Sequence, residues 1–243
     1  MNGAGLSQIL PGTGLPEYER VPEARDYHGL VAKFESLGGS GHGPEFAIFQ
    51  QHFGAEPNGL LAWADLGTEL LIGALESRFD GVGLNENTIV FAPDHSDDWW
   101  TKDKRYWMAM RSFVRTGGLA LDQAVPEVCA RLQSLRRKLI EDLERGEKIF
   151  VFKDLHRNLT EAEIDRLHAA VRTYGGSTLF YVRYETDANP NGSVEAVREG
   201  LLVGYMDRFK LSRTNQLSSA PPTSSWLAVC RNAYALWRAG AAR

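Results

Sequence analysis

The sequence predicts a single α/β domain with a mainly parallel sheet flanked by helices, tending toward three layers. Two observations carry this. Lys148–Lys153 (KIFVFK) and Thr178–Tyr184 (TLFYVRY) are compact apolar strands, and a helix with a T-x-x-E box at Thr160 and Glu163 lies between them. Strand, helix and strand in so short a span make a βαβ unit, whose strands run parallel through a right-handed crossover. The second observation is Val31–Leu37, a strand that runs into the glycine-rich turn Gly38–Gly43 and then into a helix. The chain has 243 residues, 43% of them hydrophobic and 24% charged, which is enough for a buried core and excludes general disorder.

The elements follow in order. Residues 1–30, with Pro11, Pro16 and Pro22 among glycines, read as a loosely ordered arm, and residues 31–243 as the domain. Pro44 suits the first turn of a helix, Phe46, Phe49 and Phe53 give that helix one apolar face, and Gly54 stops it. A second helix covers Thr68–Phe79, with Leu71, Ala74, Leu75 and Phe79 inward. Thr88–Ala92 and Arg105–Val114 read as strands separated by a polar loop that holds Trp99 and Trp100. Val128, Leu132, Leu135, Leu139 and Leu143 line one face of a long helix, Val125–Arg145, ended by Gly146. After the βαβ unit come a turn at Ala188–Ser193, a strand within Glu199–Arg208 and a polar loop at Ser212–Ser225. The last helix starts near Thr223 and aligns Trp226, Cys230, Ala233 and Trp237 on one stripe.

Charge and targeting signals exclude several classes. A formal charge of −4 provides no global field for nucleic acid. The basic run Arg131, Arg136, Arg137 and Lys138 is followed by Glu141 and Asp142, so i,i+4 pairs Arg137–Glu141 and Lys138–Asp142 compensate it. The first residues lack a secretory signal, and no apolar stretch is long enough for membrane insertion. Cys129 and Cys230 form neither a disulfide framework nor a CxxC motif, so the expected compartment is the cytoplasm.

The turn Gly38–Gly43 is the main candidate for chemistry. A glycine-rich strand-to-helix connection exposes backbone N–H groups to a ligand, which makes Gly39, Ser40, Gly41 and Gly43 candidate binding residues. The spacing fits neither the dinucleotide fingerprint, the Walker loop nor the nucleophile elbow, and a purely structural turn is the alternative. His42 in the same turn is a candidate acid or base. Asp94–Asp98 has metal-ligand residue types without a recognised spacing, so no metal site is assigned. Trp99 and Trp100 follow it and form either a sugar platform or a cover for the core. Asp103 and Arg105 are candidates for the same cleft, as catalytic and ligand-binding residues respectively, or else a turn and an ion pair.

Several stretches together resemble an uncharacterised bacterial family, found largely in proteobacteria and often beside or fused to glycosyltransferases. They are Phe34–Gly38 (FESLG), Glu45-Phe46, Phe53–Pro57 (FGAEP), Gly146–Lys153 (GEKIFVFK), Gly204–Phe209 (GYMDRF) and Cys230–Tyr234 (CRNAY). That family is similar in turn to putative papain-like cysteine peptidases. The resemblance implies a cysteine directly before Glu-Phe and a histidine before Ser-Phe-Val, where this chain has Pro44 and Arg111. Cysteine peptidase activity is therefore not expected. What the resemblance implies is a role in surface-glycan or polysaccharide biosynthesis, with a glycan, a nucleotide ligand or a glycosyltransferase as partner. A nucleotide- or S-adenosylmethionine-dependent transferase and an inactive protein-binding module are the alternatives, and no cofactor is named by the residues.

Overall fold

The computed structural model describes residues 27–40, 44–94, 96–117, 119–207 and 223–241. Residues 41–43, His95, Gly118, residues 1–26, 208–222 and 242–243 lie outside them, and with them most of the expected arm and most of the expected loop at Ser212–Ser225.

Five strands form a mostly parallel sheet. They are β1 (Phe34–Ser40), β6 (Ile149–Asp154), β7 (Thr178–Tyr184), β9 (Leu201–Met206) and β8 (Val194–Arg198), in that spatial order. The first four are parallel, and β8 closes one edge antiparallel to β9. All six residues of β6 are buried, as a central parallel strand requires. Its alternate side chains feed two apolar clusters. Ile149 and Val151 join Phe34, Phe46, Phe49, Trp226 and Cys230, whereas Phe150 and Phe152 join Leu71, Leu139, Leu143, Ile164 and Leu167.

Six helices supply those clusters. α1 (His28–Val31), α2 (Glu45–His52) and α6 (Thr223–Ala241) contribute to the first, and α3 (Thr68–Glu76), α4 (Leu121–Arg145) and α5 (Glu161–Arg172) to the second. Helix α5 starts where the capping box predicts: Thr160 Oγ1 accepts from the Glu163 N–H at 3.3 Å, and Glu163 Oε2 accepts from the Thr160 N–H at 2.8 Å. Helix α4 ends at Gly146 in the left-handed conformation, φ 65°, which carries no Cβ penalty at glycine. It begins four residues before the expected Val125 and takes Pro126 inside it.

The second sheet is the main departure from expectation. β2 (Ala64–Asp65), β5 (Ala109–Arg115), β4 (Asp98–Asp103) and β3 (Thr88–Phe91) form an antiparallel sheet in that order. The segment read as a polar tryptophan loop is strand β4, paired on both sides. Residues 105–108, read as the start of a strand, form the β4–β5 turn. The first strand is shifted as well. Val31 ends helix α1, and Gly38 and Gly39 lie inside β1, where the register against β6 slips between Ser36 and Gly39. Among the described residues, no helix is long and apolar enough to cross a membrane.

Candidate functional site

Packing accounts for Gly38 and Gly39, the two described glycines of the expected Gly38–Gly43 turn, which lie inside β1. Gly38 has φ +78°, and a Cβ there would sit 3.3 Å from the Ala64 carbonyl oxygen. A Cβ on Gly39 would sit 2.7 Å from the Lys153 carbonyl oxygen, closer than any side chain tolerates. Both glycines therefore let β1 approach β6 and the β2 segment, and Leu66 N–H donates to the Gly39 carbonyl at 3.4 Å. Ser40 pairs with Asp154 in register at the end of the strand. Gly41, His42 and Gly43 lie outside the described residues.

The carboxyl ends of β1 and β6 meet the start of α2, the place where open α/β sheets present ligands. Buried charge gathers there. Lys153 Nζ lies 3.1 Å from Glu45 Oε2, and their side chains are 5% and 2% exposed. Glu45 Oε1 accepts from Trp226 Nε1 at 2.7 Å. Asp154 Oδ1 accepts from the His156 N–H at 2.8 Å, and Thr68 Oγ1 lies 3.5 Å from its Oδ2. Burial pushes the Tyr184 phenol up, and the Glu45 and Asp154 carboxylates push it further. Both Glu45 oxygens are engaged, so this cluster is a charged brace between helix and sheet. The sequence signal for it was a lysine inside a central apolar strand, which must find a carboxylate to be buried.

Asp103 and Arg105 sit elsewhere, at the end of β4 and in the β4–β5 turn. Asp103 Oδ1 accepts from the N–H groups of Arg105 and Tyr106 at 2.9 and 2.8 Å. Burial raises the Asp103 carboxyl, against those two N–H groups and the Arg105 charge, which lower it. The Arg105 guanidinium bonds Asp80 Oδ2 at 2.8 Å and the Asp80 carbonyl at 3.2 Å. Their partners thus come from the turn itself and from the segment after α3, and among the described residues none comes from β1.

The two tryptophans differ in role. Trp99 packs against the larger core cluster. Trp100 is half-buried and its Nε1 donates to Ser96 Oγ at 3.0 Å. Cross-strand pairing places Trp100 between Phe91 and Arg111 in one row, and Lys102 between Ile89 and Ala109 in the next, with Asp65 beyond Ala109. Directly paired residues share a face. The alternate residues Thr88, Val90, Thr101 and Met110 are buried on the opposite face, where α4 packs against β3 and β5.

The outer face is apolar and cationic. Ile89, Phe91 and Phe113 of this sheet and Trp107 of its turn are four of the nine exposed large hydrophobic side chains among the described residues. Cations lie over the rings: Lys102 Nζ is 4.2 Å from the Trp107 centroid, and Arg111 is 5.0 Å from that of Phe113. Arg111 also pairs with Asp98, which is buried and which Arg115 approaches at 3.4 Å. Sequence reasoning missed Phe91, Trp107 and Arg111 as surface residues. The available signal was Thr88–Phe91, apolar at consecutive positions and so unable to hide both faces.

Neither thiol nor metal chemistry is assembled among the described residues. Cys129 and Cys230 are buried and unpaired, and burial raises the Cys230 thiol far above its ordinary range. No group of three metal-ligating side chains is present among those residues. The Arg137–Glu141 pair expected on α4 does not form: Lys138 holds Asp142 at 2.6 Å, while Glu141 meets Arg145 at 3.6 Å. Comparison with protein-family models, with curated proteins and with solved structures finds no match.

Proposed function

We propose that the chain is a cytoplasmic glycan-binding protein of bacterial surface-polysaccharide assembly, whose contact surface is the outer face of the antiparallel sheet. The observation that carries this reading is the Phe91–Trp100–Arg111 row beside Ile89 and Lys102. A monomer rarely leaves so many large apolar side chains together in water without a use for them. Ring faces stack on the C–H faces of a pyranose, while Lys102, Arg111 and Asp65 provide donors and acceptors for its hydroxyls. The biosynthetic setting comes from the family resemblance. In this reading the parallel sheet is the middle of three layers and serves as the scaffold.

A second reading is an inactive peptidase-like module that binds protein through the same face. It is supported by Pro44, which stands at the N-cap of α2 without a nucleophilic atom, and by Arg111, which pairs with Asp98. A guanidinium holds its proton throughout the physiological range and cannot serve as a base.

Intrinsic tryptophan fluorescence during titration with oligosaccharide fragments of bacterial polysaccharides tests the glycan reading. Saturable quenching is expected, weakened roughly five- to tenfold in Trp100→Ala by loss of one stacking contact. Unchanged spectra across neutral and acidic fragments, or undiminished binding in Trp100→Ala, would overturn it.

A further inference from the structure

We propose that the cleft between the Ser77–Leu84 turn and helix α4 binds the phosphoryl group of a small phosphate ester. The cleft measures about 230 Å³, with Asp80 and Gly81 on one wall and Gln133, Arg136 and Arg137 on the other. It is separate from the aromatic face and does not depend on the glycan reading.

The turn that forms the first wall is held in an unusual shape. Arg78 and Phe79 have φ of 53° and 52°, and Gly81 and Gly83 have φ of 83° and 81°. Non-glycine residues in that region are strained and persist only where their surroundings impose it. Here side chains claim the turn's carbonyls one after another. Arg136 Nε donates to the Arg78 carbonyl at 3.0 Å, Tyr106 Oη to that of Asp80 at 2.9 Å, Asn87 Nδ2 to that of Gly81 at 3.1 Å, and Gln133 Nε2 to that of Gly83 at 2.9 Å.

With those carbonyls occupied, one amide of the cleft wall is left over. The N–H groups of Asp80, Val82 and Leu84 donate to the Ser77, Phe79 and Gly81 carbonyls, whereas the Gly81 N–H has no acceptor among the described residues. Free turn amides beside left-handed glycines contribute to anion-binding concavities.

The opposite wall adds positive charge that nothing nearby neutralises. Glu141 and Asp142, the carboxylates one turn along α4, pair with Arg145 and Lys138, and Arg137 has no carboxylate partner among the described residues. Arg136 uses its Nε on a carbonyl rather than on an acid. The one carboxylate in the cleft, Asp80, is held by Arg105 Nη1 at 2.8 Å. That guanidinium is itself close, since a Cβ on Gly81 would lie 3.8 Å from it. A free amide and several guanidiniums suit the three terminal oxygens and near-double negative charge of a phosphate monoester better than a carboxylate. The volume falls below the roughly 300–1,000 Å³ of drug-sized pockets, so a head group fits rather than a whole nucleotide.

Calorimetric titration of the full chain with inorganic phosphate and with glucose phosphate at low ionic strength tests the proposal. Amide proton–nitrogen spectra recorded alongside read Gly81 directly. Saturable binding of at least one probe, one site per chain, is expected, with the Gly81 amide signal moving on addition. Arg137→Ala, which removes an exposed side chain, weakens binding about tenfold or more through loss of a charge-assisted contact. Arg131→Ala, on the same helix but outside the cleft, leaves it unchanged. Absence of saturable binding for both probes, an unmoved Gly81 signal, or equal weakening by the two arginine variants would each overturn the proposal.

Discussion

Trp226 and Glu45 stand 181 residues apart in the chain, and the indole Nε1 of the first donates to Oε1 of the second at 2.7 Å. Glu45 Oε2 meets Lys153 Nζ at 3.1 Å, so one carboxylate ties α6, α2 and β6 together. Removing one member of a buried ion pair costs about 3–5 kcal/mol, because the remaining charge stays out of water. Lys153→Met is therefore expected to lose about 3 kcal/mol in urea denaturation. The pair Glu45→Gln with Lys153→Met is expected to lose less than the sum of the two single variants. Additive losses would show that the two side chains do not act as a unit.

Two glycines are expected to respond in opposite directions to the same substitution. A Cβ on Gly39 would press on the Lys153 carbonyl oxygen at 2.7 Å, and that neighbour is backbone in a central strand. Gly39→Ala should destabilise by about 2 kcal/mol, in the range of core overpacking. A Cβ on Gly73, inside α3, meets nothing within 4 Å. Gly73→Ala should stabilise by about 0.5–1 kcal/mol through helix propensity. Calorimetric melting of both variants checks the pair of signs.

Burial lowers the His52 imidazole from 6.5 to about 4. Between those values the unfolded chain binds the proton and the folded chain does not. The contribution is therefore present in full above pH 6.5 and lost as the pH falls toward 4. Each pH unit in that window removes up to about 1.4 kcal/mol, roughly 3 kcal/mol in all. Burial and Arg198 lower His168 too, which acts in the same direction. In denaturation series across that window, His52→Gln should flatten the decline relative to the parent chain. Parallel curves for the two proteins would refute the assignment.

The cap of α5 offers a surface prediction. Thr160→Ala removes the oxygen that accepts the Glu163 N–H and should cost about 1 kcal/mol. Thr160→Ser, which keeps the acceptor, should cost much less, and denaturation midpoints separate the two.

The βαβ unit was legible because its signals are local. Thr178–Tyr184 is a strand over the expected bounds, and the Thr160 box starts its helix. Strand β4 was not legible, since Asp98-Trp99-Trp100-Thr101-Lys102-Asp103 has no apolar alternation. It is a strand because β3 and β5 pair with its two edges. The edge strand β8, exposed over four of its five residues, likewise depends on β9 for its hydrogen bonds.

The candidate site divides in the same way. Trp100 was recognisable as a ring beside polar residues, but its row with Phe91 and Arg111 depends on a register that no local pattern encodes. For Asp103 and Arg105 the sequence offers either a cleft or a turn with an ion pair; Asp103 holds the turn's N–H groups, and the Arg105 partner Asp80 became visible only with the turn after α3 in place. The basic run on α4 looked self-compensating from its spacing, yet Glu141 turned to Arg145 and left Arg137 facing a cleft.

By itself, then, the sequence determined the mostly parallel α/β scaffold, the stop of α4 at Gly146, the start of α5 at Thr160 and the absence of a cysteine at the position before Glu45-Phe46. Those follow from side-chain periodicity, capping and residue identity, which act within a few neighbours. Tertiary structure alone decided which glycines close the sheet, which of the paired tryptophans packs on the core and which arginines of the α4 basic run line a cleft. Those outcomes are settled by contacts between residues tens to hundreds of positions apart, through register and steric fit rather than local preference.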